Sequence, residues 1–176
     1  MRIIILSGER VALAEMIEGD QIHFQAWLAG NPELRELIAD ERVPTMEDQR
    51  KWFKRVQQPD RKFFSIVTVP SGELIGNCGF VDIDQEKKEG TLRITIGHPA
   101  FLGKGLGTEA VQLLVRYGFE RAKWKRIILK VLRSNERAIK TYEKAGFRHL
   151  SEGLQDGKII RLPFRVRDLR RRQSHF

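Results

Sequence analysis

The sequence predicts a single α/β domain. Its sheet is mixed, of about six to seven strands, antiparallel with a central parallel pair, and flanked by about four helices. Three observations carry that expectation. First, alternating or apolar strand patterns at residues 62–69, 74–83 and 92–96 are separated only by turns, as in an antiparallel meander. Second, a helical pattern at residues 108–122 stands between the strand at 92–96 and a short apolar strand at 127–132. A strand–helix–strand unit of that size implies a parallel pair with a right-handed crossover. Third, 176 residues, 41% of them hydrophobic, suffice for one domain with a sizeable core.

Taken in order, residues 10–14 read as a first short strand. Residues 20–29 read as a helix, with Asp20 as N-cap and Ile22, Phe24, Ala26, Trp27 and Leu28 as its apolar positions. Gly30-Asn31-Pro32 stops it, and residues 32–38 form a weaker helical stretch. Thr45, with Asp48 three residues on, opens a firmer helix bearing Trp52, Phe53 and Val56. That spacing is close to a capping box, with Asp in place of Glu or Gln. Pro70-Ser71-Gly72 is the turn of the first hairpin, and residues 85–90 form a charged turn into the central strand. After the strand at 127–132, Asn135 caps a helix whose Ala138, Ile139 and Tyr142 face the core, and Gly146 ends it. A last hairpin joins residues 147–152 to 159–166 around Gln155-Asp156-Gly157.

Between the central strand and the helix lie three glycines at alternate positions, Gly103, Gly105 and Gly107, with Lys104 among them. Glycines allow positive φ and close approach of backbone N–H groups. The first N–H groups of a helix lack partners, and the helix dipole favours an anion there. Strand, glycine turn and helix start therefore make a phosphate or pyrophosphate seat; the plain alternative is a glycine-rich connection. A P-loop fits badly because Gly105, not Ser or Thr, follows Gly103-Lys104, and a Rossmann fingerprint because the spacing is G-x-G-x-G.

The net charge is +9, of which residues 161–176 contribute +5 through six arginines and one aspartate. Such a balance suits phosphorylated cofactors, acidic substrates or RNA, and equally a solvated tail. The tail, residues 169–176, has no interleaved aromatics, which counts against nucleic acid as a partner. The single cysteine, Cys78, sits in an apolar strand pattern and reads as core; with no internal disulfide available, a cytoplasmic setting is expected. Ile3-Ile4-Ile5-Leu6 is too short for a signal peptide, and no apolar run approaches a membrane span. No metal-ligand set is read.

Two segments together resemble the GCN5-related N-acetyltransferase (GNAT) superfamily. Leu102-Gly-Lys-Gly-Leu-Gly107 is similar to its Q/R-x-x-G-x-G/A cofactor loop, and Asn135-Glu-Arg-Ala-Ile-Lys-Thr-Tyr-Glu-Lys-Ala-Gly-Phe147 to its N-x-x-A-x-x-x-Y-x-x-x-G-F segment. The order of elements matches over nearly the whole chain, so residues 1–168 are expected to form the acetyltransferase domain. The region of Trp27 to Pro32, the helix of Thr45 and Trp52, and Ile96-Gly-His-Pro resemble the RimJ/RimL-type branch.

The resemblance implies acetyl-CoA as cosubstrate and transfer of its acetyl group to a primary amine of a small molecule or a protein N-terminus. Polyamines and amino sugars are alternative acceptors, and a homodimer is an expected assembly. It implies cofactor contacts from Ile94, Thr95, Ile96, Leu102, Gly103, Lys104, Gly105, Leu106, Gly107, Thr108, Asn135, Ala138 and Tyr142. A backbone N–H near Ile96 would polarise the thioester carbonyl, and Tyr142 would protonate the leaving thiolate. Without the resemblance, Tyr142 reads as a core aromatic and Asn135 as an N-cap. The family often has a carboxylate base at the start of the central strand. Here Thr91 stands in that place, with Glu89 two residues earlier as the offered base. Glu89, Asp82 and Asp84 otherwise read as strand or turn acids, and His98 as a turn residue before proline. Leu102 replaces the usual Gln or Arg of the loop, and Arg161 an Asp common in the branch, which points to a more anionic acceptor. Two competing readings are a basic RNA- or ribosome-binding module and a GNAT fold that binds acyl-CoA without catalysis.

Overall fold

The structure, a computed structural model, describes residues 2–38, 42–147 and 159–165, the last of these as strand backbone. Seven strands form one sheet in chain order: β1 (Ile4–Ser7), β2 (Val11–Glu15), β3 (Lys62–Thr68), β4 (Leu74–Asp84), β5 (Glu89–Ile96), β6 (Arg126–Leu132) and β7 (Ile159–Arg165). Every neighbouring pair is antiparallel except β5 and β6, which are parallel. Five α-helices accompany it among the described residues: α1 (Asp20–Gly30), α2 (Pro32–Leu37), α3 (Met46–Arg55), α4 (Leu106–Arg116) and α5 (Glu136–Ala145). The first arm of the last hairpin beyond Phe147, its 155–157 turn and the basic tail lie outside the described residues.

The alternation along each strand divides the sheet into two faces. On one, Leu13, Phe64, Ile66, Cys78, Phe80 and Leu92 pack with Ala110, Val111 and Leu114 of α4 in the main core, all but fully buried. Burial pushes the Cys78 thiol far above its ordinary range, and the residue is core, as read. The other face carries α1 and α3 through an edge-to-face aromatic chain, Phe24 on Trp52 at 5.8 Å and Trp52 on Phe63 at 5.6 Å.

Local signals became local structure where their partners are close in sequence. Thr45 Oγ1 accepts the Asp48 N–H at 3.1 Å, and Asp48 Oδ2 accepts the Thr45 N–H at 2.9 Å, completing the box. Those hydrogen bonds hold the Asp48 carboxyl below its ordinary pKa. Asn135 Oδ1 accepts the Ala138 N–H at 3.0 Å, and Gly146 ends α5 at φ +110°.

Three expectations need correction. The sheet begins one strand earlier, at β1, whose all-apolar Ile-Ile-Leu run shows no alternation: a register irregularity between Ile4 and Leu6 leaves Leu6 buried and Ile4 exposed. Asp20 is the first helical residue rather than a cap. Its carboxylate, 1% exposed, takes both Arg2 Nη atoms at 2.6 and 2.7 Å, the Ser65 hydroxyl at 2.5 Å and the Ile17 N–H at 3.1 Å. Of the apolar positions assigned to α1, Ile22 is solvent-exposed and Phe24 is the buried anchor. Finally, α4 starts at Leu106, ends as an α-helix at Arg116 and passes into a π-helical turn over Tyr117–Arg121. A Cβ at Gly118 in that turn would lie 2.8 Å from Ile127 Cδ1, and the isoleucine would have to shift to admit it.

Candidate active site

The parallel pair is short. β5 and β6 are in register only from Glu89↔Arg126 to Leu92↔Leu129. Beyond that, β5 stays with β4 as far as Ile96↔Gly76, and β6 stays with β7 as far as Leu132↔Ile159. Each strand follows its antiparallel partner, and the sheet forks. The β6-facing backbone groups of residues 93–96 are left with no strand to pair, and Arg93 reaches across the gap to the Lys130 carbonyl at 3.5 Å.

A cavity of about 940 Å³ opens into the fork. Its floor is β5 from Leu92 to Ile96 and β6 from Lys130 to Leu132; its walls are residues 101–108, the N-cap Asn135 with the facing side of α5 as far as Lys144, and Leu34, Leu37 and Ile38 at the α2 end. Every residue read above as cofactor-binding lines this one cavity: Ile94, Thr95 and Ile96, the run from Leu102 to Thr108, and Asn135, Ala138 and Tyr142.

The loop owes its shape to two glycines. Gly103 at φ +73° and Gly105 at φ +76° occupy the left-handed region that other residues avoid. Gly105 is the N-cap of α4, so the helix starts two residues before the expected Thr108 and presents its first N–H groups at the loop. Gly107, by contrast, is helical, and a Cβ there would meet only Ile96 Cγ1, at 3.6 Å. The cations Arg93, Lys104, Lys130, Arg137, Lys140 and Lys144 line the cavity with one carboxylate, Glu136, among the described residues. Arg137 Nη2 lies 3.8 Å from where a Gly103 Cβ would be, so a guanidinium covers the loop. Fixed N–H groups, a helix N-terminus and clustered cations are the equipment for a polyphosphate.

Tyr142 projects from α5 with 7% of its surface exposed, edge-on to Phe147 at 6.2 Å. Burial pushes its phenol up to about 12, against the pull of the Arg93 charge. It remains protonated at neutral pH, in a cavity wall, as a proton donor must.

Glu89 is not brought to this site. It begins β5, three residues before the first cavity-lining position, Leu92, and seven before Ile96, roughly 10 and 23 Å at strand rise, and does not itself line the cavity. Its carboxylate is taken up by Arg126, with Nε at 2.7 Å and Nη2 closer still. Thr91 is buried beside it and supplies no carboxylate. Asp82 pairs with Lys130 at 3.6 Å, and Asp84 with Lys87 at 3.0 Å; neither lines the cavity. His98 is a turn residue: its Nδ1 accepts the Ala100 N–H at 3.2 Å, and its ring packs edge-on to Trp27 and Phe101.

Sequence reading missed Arg10 and Glu109, which hold the loop from behind. Arg10 Nη1 donates to the Lys104 carbonyl at 3.0 Å, and its Nε and backbone N–H reach Glu109 at 3.0 and 2.8 Å. The pair is 99 residues apart, and the only local hint is an acid in the first turn after the glycines.

Residues 10–148 match the family model described as acetyltransferase (GNAT) domain. An uncharacterized N-acetyltransferase of Bacillus licheniformis is 30% identical over 154 residues, covering 85% of this chain and 84% of its own. Among solved structures, the spermidine N-acetyltransferase of Vibrio cholerae in complex with CoA and spermine superposes with TM-score 0.77 at 19% identity, over 90% of this chain and 96% of the other. An aminoglycoside acetyltransferase in complex with coenzyme A and kanamycin does so with TM-score 0.78 at 24% identity, over 93% and 99%.

Proposed function

The chain belongs to the GNAT family and is an N-acetyltransferase, and from that premise we propose that its donor is acetyl-CoA, its acceptor a primary amine and its general acid Tyr142. One observation carries the reading: the glycine loop, the forked edge of β5 and the Tyr142 phenol face a single cavity. The loop N–H groups and Arg137 seat the pyrophosphate. The unpaired edge of residues 93–96 takes the amide-bearing arm of the donor, and an N–H near Ile96 polarises the thioester carbonyl as it becomes tetrahedral. The amine nitrogen bonds to the carbonyl carbon, the C–S bond breaks, and the sulfur takes the Tyr142 proton. Glu89 has no part in this scheme; the amine gives its proton to water.

Within the family the chain reads as RimJ/RimL-like, on the Trp27–Pro32 region, the Thr45 helix and the Ile96-Gly-His-Pro turn. The proteins of similar fold bound to spermine and to kanamycin make polyamines and amino sugars acceptors to test beside N-terminal peptides. The apolar α2 end of the cavity, Leu34, Leu37 and Ile38, is the side from which the acceptor enters.

The test is release of CoA thiol from acetyl-CoA across a panel of N-terminal peptides, polyamines, amino acids, aminoglycosides and a nucleotide-linked amino sugar. Turnover on one class is expected and names the acceptor. A chain that does not bind acetyl-CoA would refute the reading.

A further inference from the structure

We infer that Arg10 is a positioning residue for the donor's pyrophosphate: from outside the cavity it sets the direction of the two loop peptides whose N–H groups meet the phosphates. The inference rests on the acetyl-CoA reading above.

Arg10 does not line the forked cavity. It lies on the far side of the loop, in a separate depression shared with Gly8, Thr108, Gln112 and Arg116. From there Nη1 donates to the Lys104 carbonyl at 3.0 Å and Nη2 to the Gly105 carbonyl at 3.5 Å. In a planar trans peptide the carbonyl and the following N–H point in opposite directions. Drawing the Lys104 carbonyl towards Arg10 therefore turns the Gly105 N–H the other way, towards the cavity, and the Gly105 carbonyl, held jointly by Arg10 and the Glu109 N–H at 3.4 Å, does the same for Leu106; both residues line the cavity. The adjacent φ of +76° at Gly105 gives the loop freedom to adopt other orientations, so something must choose this one.

The guanidinium is itself fixed. Its Nε donates to Glu109 Oε2 at 3.0 Å, while Glu109 Oε1 accepts the backbone N–H groups of Arg10 at 2.8 Å and Val11 at 3.3 Å. Although its burial pushes the pKa up, these contacts hold the Glu109 carboxyl below its ordinary range, so it stays ionised. An ionised acid in the first turn of α4 suits the helix dipole but opposes an incoming phosphate. Arg10 answers that charge as well as aiming the peptides. The close fit is visible at Gly8, where a Cβ would lie 2.5 Å from Glu109 Oε1. Only arginine has a fork that can serve a carboxylate and two carbonyls together; lysine offers one point charge.

The experiment is equilibrium titration of the full chain and its Arg10→Met and Arg10→Lys variants with CoA and, at millimolar concentration, with pantetheine, which has no pyrophosphate. Loss of two hydrogen bonds and of the compensating charge is expected to weaken CoA binding by about tenfold or more in R10M. R10K should fall between R10M and the parent, because it keeps the charge without the fork. Pantetheine binding should be the same in all three. Equal weakening of CoA and pantetheine would show a general structural role and overturn the inference, as would unchanged CoA binding in either variant. Should R10M fail to fold, the R10K titration alone decides. A parent chain that binds no CoA overturns the acetyl-CoA reading and this inference with it, whereas a binding parent with indifferent variants overturns only the role of Arg10.

Discussion

Replacing Tyr142 with phenylalanine removes one oxygen atom and leaves the ring where it is. The ring is 7% exposed and its edge contact with Phe147 needs no hydroxyl, so the packing survives and stability should change by no more than about 1 kcal/mol. The chemistry should not survive. Burial holds the phenol at about 12, well above the ~8.5 of an ordinary thiol in water. Yet the leaving thiolate meets the same desolvation in the same cavity, which raises its basicity too and narrows the gap. A positioned acid of this kind contributes about 10²- to 10⁴-fold, so kcat in Y142F should fall by that factor, or roughly 3–5 kcal/mol of barrier. The assay is thiol release at saturating acetyl-CoA, with the CoA dissociation constant measured separately by calorimetry. The expected result is a fall in kcat with CoA affinity nearly intact. A kcat within about twofold of the parent would refute Tyr142 as the acid, since no positioned acid is worth so little.

The remaining predictions use the same assays. The rate should rise with pH as the acceptor amine loses its proton and should show no alkaline decline below about pH 11, because the acid is lost only as pH climbs through the raised Tyr142 value of about 12; a descending limb below pH 9 would assign the acid to another group. Gly105→Ala must place a side chain at φ +76° and should cost about 1–2 kcal/mol in thermal unfolding while weakening CoA binding. Gly107→Ala, in a helical conformation with its Cβ at an ordinary 3.6 Å from Ile96, should be neutral or stabilising by up to about 1 kcal/mol. Thr45→Ala, which opens the capping box of α3, should lower stability by about 1 kcal/mol in the same unfolding experiment.

What the sequence made legible is what is decided within a few residues. Thr45 and Asp48, Asn135 and Ala138, and the glycine that ends α5 are three or four positions from their partners, and each behaves as its spacing implies. The glycine loop was legible for the same reason, although its helix starts earlier because Gly105 and not Thr108 is the turning point. What stayed hidden is decided across the chain. Asp20 looks like a cap, yet it is claimed by Arg2 and Ser65, 18 and 45 residues away, and a buried carboxylate must satisfy those partners first. Glu89 looks close to the active strand because it is close in number, and the rise of an extended chain removes it. The clamp of Arg10 on Glu109 leaves no local pattern beyond an acid in the first turn of α4.

The fork ties fold to function through one physical requirement. Backbone N–H and C=O groups that leave water need partners, and on the β6 side of residues 93–96 the partner strand has gone. β4 cannot supply it, since it already uses the other edge of the same strand as far as Ile96. Water can fill the gap, but an extended molecule bearing amides fills it better, because it pairs with the exposed edge in strand geometry and displaces water from the half-buried Ile94 and Ile96 alongside. An anion at one end of such a molecule then falls on the loop N–H groups, which adjoin Ile96, and the rest runs back along the open edge of residues 93–96, in the cavity that α5 and its tyrosine also line. Loop, open edge and tyrosine in one cavity suit the proposed donor, with its polyphosphate, amide-bearing arm and acyl terminus. A phosphate-binding module would have no use for the second and third, and a peptide groove none for the first.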